Sequence, residues 1–327
     1  MQRVQAALAA LFFCCAGGRA REQQQMFVFQ DNFWLNLHQF LRGEVYRRNV
    51  SIKPGLDAES LSEEERRIWN QAIESYRDIA KRDVLFDALV RRINNELATI
   101  GNADQLPEGL AEAIGAGTRA TLNSAAPIYR SRVWPARQRD NEAWIAAAKA
   151  LLVSHQAAMA ARIEQVYGVK WPDKPILVDV VGETGNSSAF THGGLAQFAA
   201  HIQASAGSVR NTGDAPLELL FHESTHAEGI EDRIQSMIAE ESARQNAKAP
   251  ENLWHEMIMF TTGEIARQEL VRTGHPGYVP YAAKYNQLTP AERTAFERDW
   301  LPYLNGKTPR AAALHDLVRD ARLESGH

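Results

Sequence analysis

The nine residues Lys174 to Gly182, KPILVDVVG, break with everything that precedes them. Ile176, Val178, Val180 and Val181 are β-branched, and Pro175 and Gly182 bound the run, so it reads as a short buried strand. Upstream the signal is helical. Apolar residues recur at three- and four-residue spacings between Met26 and Arg48 (Phe33, Leu37, Phe40, Leu41), which predicts an amphipathic helix with His38 beside its apolar stripe. A histidine there reads first as core packing and second as part of a site. Ser62, followed by glutamates, opens a long helix or helix pair that Gly101 closes. Further helices are predicted at about Pro107 to Ala120 and about Asn141 to Tyr167. Downstream, AAHIQASAG (Ala199 to Gly207) sets Ile202 and Ala204 against Gln203 and Ser205 and reads as a second strand, with GETGNSSAFTHGG before it as loop. After the turn RNTGD, the segments APLELLFHESTHAEG, IEDRIQSMIAEESARQNAK and ENLWHEMIMFTTGEIARQELVRTG are helical. The expected fold class is therefore mainly α with a small β-sheet (α+β): a helical N-terminal region at 26–172, then a region at 173–327 that follows without a long linker.

At 327 residues and 45% hydrophobic content the chain can bury a large core in one or two domains. A formal charge of −4, with both signs mixed throughout, supplies no basic stripe for phosphates, so nucleic acid is not an expected partner. The opening MQRVQAALAALFFCCAGGRA has an early Arg3, an apolar run and then small residues, the pattern of a signal peptide over 1–20. The mature protein is expected to be exported, periplasmic or extracellular, with the leader removed near Ala20. Its apolar run is shorter than the roughly 20 residues of a membrane span, and no later segment is long enough. The only cysteines, Cys14 and Cys15, fall in the leader, so disulfides and thiol chemistry are excluded from the mature chain, with a lipid anchor on either one as the alternative.

The chemistry concentrates in LLFHESTHAEG, Leu219 to Gly229. On one helix His222 and His226 stand a turn apart on the same face, so both imidazoles can reach one ion. Glu223 falls on the neighbouring ridge, too far round to be the third ligand but placed to hold a water and take its proton. Zinc lowers the pKa of such a water to about 7 and polarises a carbonyl, which makes amide hydrolysis possible at neutral pH. The apolar Leu219, Leu220 and Phe221 and the uncharged Ser224, Thr225 and Ala227 suit a buried helix, and the strand just before it is a candidate sheet edge for docking an extended peptide. The bland alternative is two histidines at the solvated end of an ordinary helix.

Three residues compete as third ligand. Asp232 stands six residues past His226, where it equally suits capping the next helix. His255 and Glu264 lie on the second helix. At about 100° per residue, His255 shares an arc with Trp254, Ile258, Met259, Ile265, Ala266 and Leu270. Glu264 falls about half a turn round with Glu256, Arg267 and Gln268, the solvated face, unless Thr261, Thr262 and Gly263 break the helix.

FHESTH after a strand and before a long helix resembles the zincin (HExxH) metallopeptidases. That resemblance implies a zincin-like catalytic core in 173–327, Zn2+ as cofactor, His222 and His226 as ligands, Glu223 as general base and a peptide or protein substrate. NLHQFL, VWPARQRDNEAWI, HIQAS…FHESTH, LWHEMIMFTTGE and YVPYAAKYNQL are also similar to a group of exported bacterial proteins of unknown function that carry this motif. HESTHAEGIED fits the metzincin spacing with Asp232, but Met237, Met257 and Met259 all read as helical and supply no methionine turn. A third ligand on the second helix is the gluzincin arrangement, which favours Glu264, whereas the periodicity favours His255. A zincin cleft often holds a tyrosine after that helix, which points to Tyr281 as an oxyanion donor, against plain packing of Tyr278, Tyr281 and Tyr285. The expected activity is zinc-dependent peptide hydrolysis. The other readings are zinc-dependent hydrolysis of a non-peptide amide and an exported binding or scaffold protein with a vestigial motif.

Overall fold

The computed structural model describes residues 25–324 apart from Pro54 and Asn186; the expected leader, with Cys14 and Cys15, lies outside them. Four strands form one sheet: β1 (Phe27–Gln30), β2 (Ile176–Val181), β3 (Ala189–Leu195) and β4 (Phe198–Ser205). The helices in the first half are α1 (Phe33–Asn49), α2 (Glu63–Ser75), α3 (Arg77–Ala80), α4 (Ala88–Ile100), α5 (Leu110–Ile114), α6 (Ala116–Arg132) and α7 (Trp134–Tyr167). In the second half they are α8 (Ala215–Ser224), α9 (Ile230–Arg244), α10 (Leu253–Arg272), α11 (Tyr281–Lys284), α12 (Pro290–Ala295), α13 (Leu301–Leu304) and α14 (Arg310–Glu324). The class is mainly α with a small sheet.

Several boundaries depart from the periodicity. The helix expected from Met26 starts only at Phe33, because Phe27 to Gln30 is extended and pairs in parallel with β2; Asn32 then caps α1 by accepting from the Leu35 amide at 3.0 Å. GETGNSSAFTHGG is not all loop, since Ala189 onwards forms β3. The helix expected at about Pro107 to Ala120 divides at Gly115, whose φ of +89° ends α5 and leads into α6. The helix expected from Asn141 begins at Trp134, with Pro135 in its first turn. Ser62 and Glu65 form the capping box that opens α2, and Gly101 follows α4 at φ +67°.

The strand order is β1-β2-β4-β3, parallel except that β3 runs antiparallel to β4 and forms one edge. Alternation sends Ile176, Val178 and Val180 of β2, with Ala200, Ile202 and Ala204 of β4, to the face packed by α7 and α8, with α10 against those two helices. Asp179, His201 and Gln203 point to the other face, under α1 and α4, where His201 Nε2 meets Asp179 at 2.7 Å and Gln39 donates to Gln203 at 2.8 Å. The sheet therefore separates a C-terminal core, which holds the histidine motif, from an N-terminal core around Trp34, Phe40, Trp69 and Tyr129. Helix α7 serves both: Trp134 joins the N-terminal core, and Trp144 to Tyr167 the other. Among the described residues no helix is long and apolar enough to cross a membrane.

Candidate metal centre

Helix α8 carries Pro216 in its first turn and buries Leu217, Leu220 and Phe221 completely. It stops at Ser224, so His226 does not sit on regular helix as expected. The chain tightens there, the His226 amide donating to the Glu223 carbonyl at 3.2 Å. The turn still faces the two motif histidines together, with ring centroids 5.3 Å apart.

Helix α10 brings His255 to them, its ring 5.4 Å from His222 and 5.5 Å from His226. One ring nitrogen from each of the three lies within 4.8 Å of the others. That spacing fits a single ion, so the three histidines could hold a metal ion. Burial pushes the His222 pKa well below its ordinary value, and the charges of His226 and His255 push the same way. Burial and His226 lower that of His255 too. Neutral imidazole is the form that ligates a metal. Burial also acts against charge on His226, but Glu231, which accepts from its Nδ1 at 2.8 Å, and Glu223 outweigh it and raise the pKa. That contact orients the ring and leaves Nε2 for an ion.

Neither rival third ligand joins the group. Asp232 sits in the first turn of α9 and accepts from the Gly229 amide at 3.1 Å, the capping role its position suits. Glu264 is buried rather than on a solvated face, but its carboxylate is taken up by Arg267 at 2.6 and 2.7 Å and by Gln268 at 2.8 Å. Thr261, Thr262 and Gly263 do not interrupt α10. Gly263 instead allows close packing: a Cβ there would stand 2.8 Å from a Glu218 carboxylate oxygen and 2.9 Å from Pro280. His38 is fully buried against Tyr76, 3.1 Å from its hydroxyl, and belongs to the N-terminal core.

Glu223 lies beside the histidines, 6% exposed, in a cavity of about 660 Å³ that they line together. Thr191 of β3 holds it, its hydroxyl 2.7 Å from Oε2 and 2.9 Å from the Glu223 carbonyl. Burial raises the Glu223 pKa, opposed by the nearby His226 charge and by Thr191. The strand wall of the cavity is β3, whereas β4, the strand just before the motif, lies inside the sheet and cannot be the docking edge expected of it.

Tyr281 lines the same cavity, its hydroxyl 3.0 Å from Ser188 Oγ and 3.4 Å from Arg210. Tyr278 is committed elsewhere, donating to Glu218 at 2.5 Å, and Tyr285 packs on the Tyr281 ring at 4.6 Å. Glu218, one turn before His222, also accepts the Tyr281 amide at 2.9 and 3.0 Å, so α8 itself positions the tyrosine segment. Sequence reasoning missed Thr191, Glu231 and Glu218. Only the last had a local signal, a carboxylate inside the apolar run PLELLF, which needs a buried partner.

Comparison with protein-family models, with curated proteins and with solved structures finds no match to this chain.

Proposed function

We propose that this protein is a zinc-dependent hydrolase that cleaves peptide bonds in the cavity between β3 and α8. One observation carries the reading: His222, His226 and His255 gather their ring nitrogens within 4.8 Å, with the Glu223 carboxylate in the same cavity. The donor set suits zinc, being three imidazoles with an adjacent carboxylate outside the ligand group. Zinc bound there supplies Lewis acidity, polarising the scissile carbonyl and making water a better nucleophile near neutral pH. Glu223 takes the proton of the attacking water and returns it to the leaving amine. Its raised pKa fits both halves of that shuttle. Thr191 fixes the carboxylate in place, and Tyr281 donates to the carbonyl oxygen as charge develops on it. The outer edge of β3 has no strand partner among the described residues, which suits main-chain pairing with an extended peptide.

Cleavage of a peptide library by metal-replete protein, with and without chelator, tests the reading. Glu223→Gln should lose at least about 10²-fold in rate, as removal of a general base does, while zinc stoichiometry by elemental analysis stays the same. Near-normal cleavage by the zinc-loaded variant would remove Glu223 from this role. Wild-type protein that takes up no metal would point instead to a scaffold with a vestigial motif.

A further inference from the structure

The cavity has a wall that does not come from the C-terminal core. Leu85 and Phe86, in the connection between α3 and α4, line it together with the histidines, Glu223 and β3. Both are large apolar side chains facing water, 36% and 81% exposed. Leaving that much apolar surface open costs free energy that a bound apolar group would recover.

The connection is built rather than loose. Asp83 accepts from the Leu85 and Phe86 amides at 2.7 and 2.8 Å, and Arg82 pairs with Asp87 at 2.9 Å. From α1, Arg42 donates to the Ile79 carbonyl at 2.9 Å and the Arg82 carbonyl at 3.1 Å. Val84 and Leu89, on either side, pack on the N-terminal core. The segment thus has inward anchors and two outward apolar side chains, held on the cavity that β3 also lines.

We propose that Leu85 and Phe86 form a specificity subsite contributed by the N-terminal helical region, which takes a large apolar side chain of an extended peptide. The peptide pairs along β3, and one of its side chains projects over the Phe86 ring. Where the bound peptide is then cut rests on the hydrolase reading; the subsite itself does not.

Binding tests it without hydrolysis. A random hexapeptide library is presented to Glu223→Gln protein and to the double variant that adds Phe86→Asp, and the retained sequences are read. The first protein should enrich Phe, Leu, Met or Trp at one position. The second should lose that preference by about tenfold or more, the scale set by burying one large apolar side chain. Circular dichroism and thermal melting of both proteins check that the fold survives. If Phe86→Asp protein retains the same sequences with the same preference, or the parent enriches no apolar residue, the subsite is overturned. Cleavage by wild type and by the single variant Phe86→Asp, read in parallel, separates the two readings. An apolar preference without cleavage sinks the hydrolase and leaves the subsite, whereas cleavage with a profile indifferent to Phe86 does the reverse.

Discussion

His255 and Glu264 were both candidates for a third ligand, and the structure places only His255 beside the motif histidines. Both sit on α10, but Glu264 is paired with Arg267 and hydrogen-bonded by Gln268, whereas His255 faces His222 and His226 across to α8. Elemental analysis after dialysis should therefore find His255→Ala depleted of zinc and Glu264→Ala still loaded; the opposite result would return the third ligand to the glutamate. Glu231→Gln, which weakens the hold on His226 Nδ1, should lower metal affinity by about 10- to 100-fold in a competition titration. A third residue-scale prediction concerns Glu218, which burial lifts to a pKa of about 7 despite its bonds from Tyr278 and the Tyr281 amide. A carboxyl whose folded-state pKa is raised favours its protonated form, so it costs nothing below about pH 4.5 and destabilises progressively as pH rises toward 7. At about 1.4 kcal/mol per unit, the penalty saturates near 3 kcal/mol. Glu218→Gln keeps an acceptor for the Tyr281 amide without the charge. Urea midpoints measured from pH 5 to pH 8 should show the variant gaining on wild type by up to that amount. Parallel curves would mean that the carboxylate is solvated.

Among the elements, those with strong local signals were legible in the chain and those made by partners were not. KPILVDVVG gave a strand because its β-branched run needs no neighbour to be recognised, and Ser62 and Gly101 marked the ends of the α2–α4 segment through their own capping chemistry. Strand β1 is four residues long and abuts an amphipathic helix, so helical periodicity absorbed it. Strand β3 mixes Thr191, His192, Gly193 and Gly194 and has pairing on one side only, leaving weak alternation. The two motif histidines were readable as a pair from i, i+4 spacing, even though α8 ends two residues before His226. Thr191 and Glu231 reach the motif only through tertiary packing. Gly263 is the instructive case, because its weak helix propensity left room for a break where the structure uses it for contact between α10 and α8. Gly263→Ala should gain about 1 kcal/mol in propensity but force the Glu218 and Pro280 contacts apart, at about 1–3 kcal/mol. A net fall in thermal midpoint is expected; a rise would show that these contacts yield freely.

Across the whole molecule the sheet joins what the sequence divides at about residue 173. Strand β1 hydrogen-bonds to β2 across a separation of nearly 150 residues, Phe27 facing Ile176 and Gln30 facing Asp179. Asn36 of α1 and Asn141 of α7 both donate to the Val180 carbonyl, at 3.0 and 3.1 Å. Helix α7 inserts Trp144, Leu152, Met159, Ile163 and Tyr167 into the core that surrounds α8. The cavity depends on the same union, since Leu85, Phe86 and Arg91 come from the first half and the three histidines from the second. The fragment 173–327 would expose β2 along the edge that β1 covers, open Asp179, His201 and Gln203 to water, and lose a long helix from its core. An uncovered strand edge beside an apolar face favours aggregation over folding. Expressed alone, the fragment should show no cooperative thermal transition by circular dichroism and no stoichiometric metal. A fragment that melts sharply and binds one metal per chain would make the first half an accessory wall; failure rescued by adding 25–172 in trans would show that the halves fold only as one body.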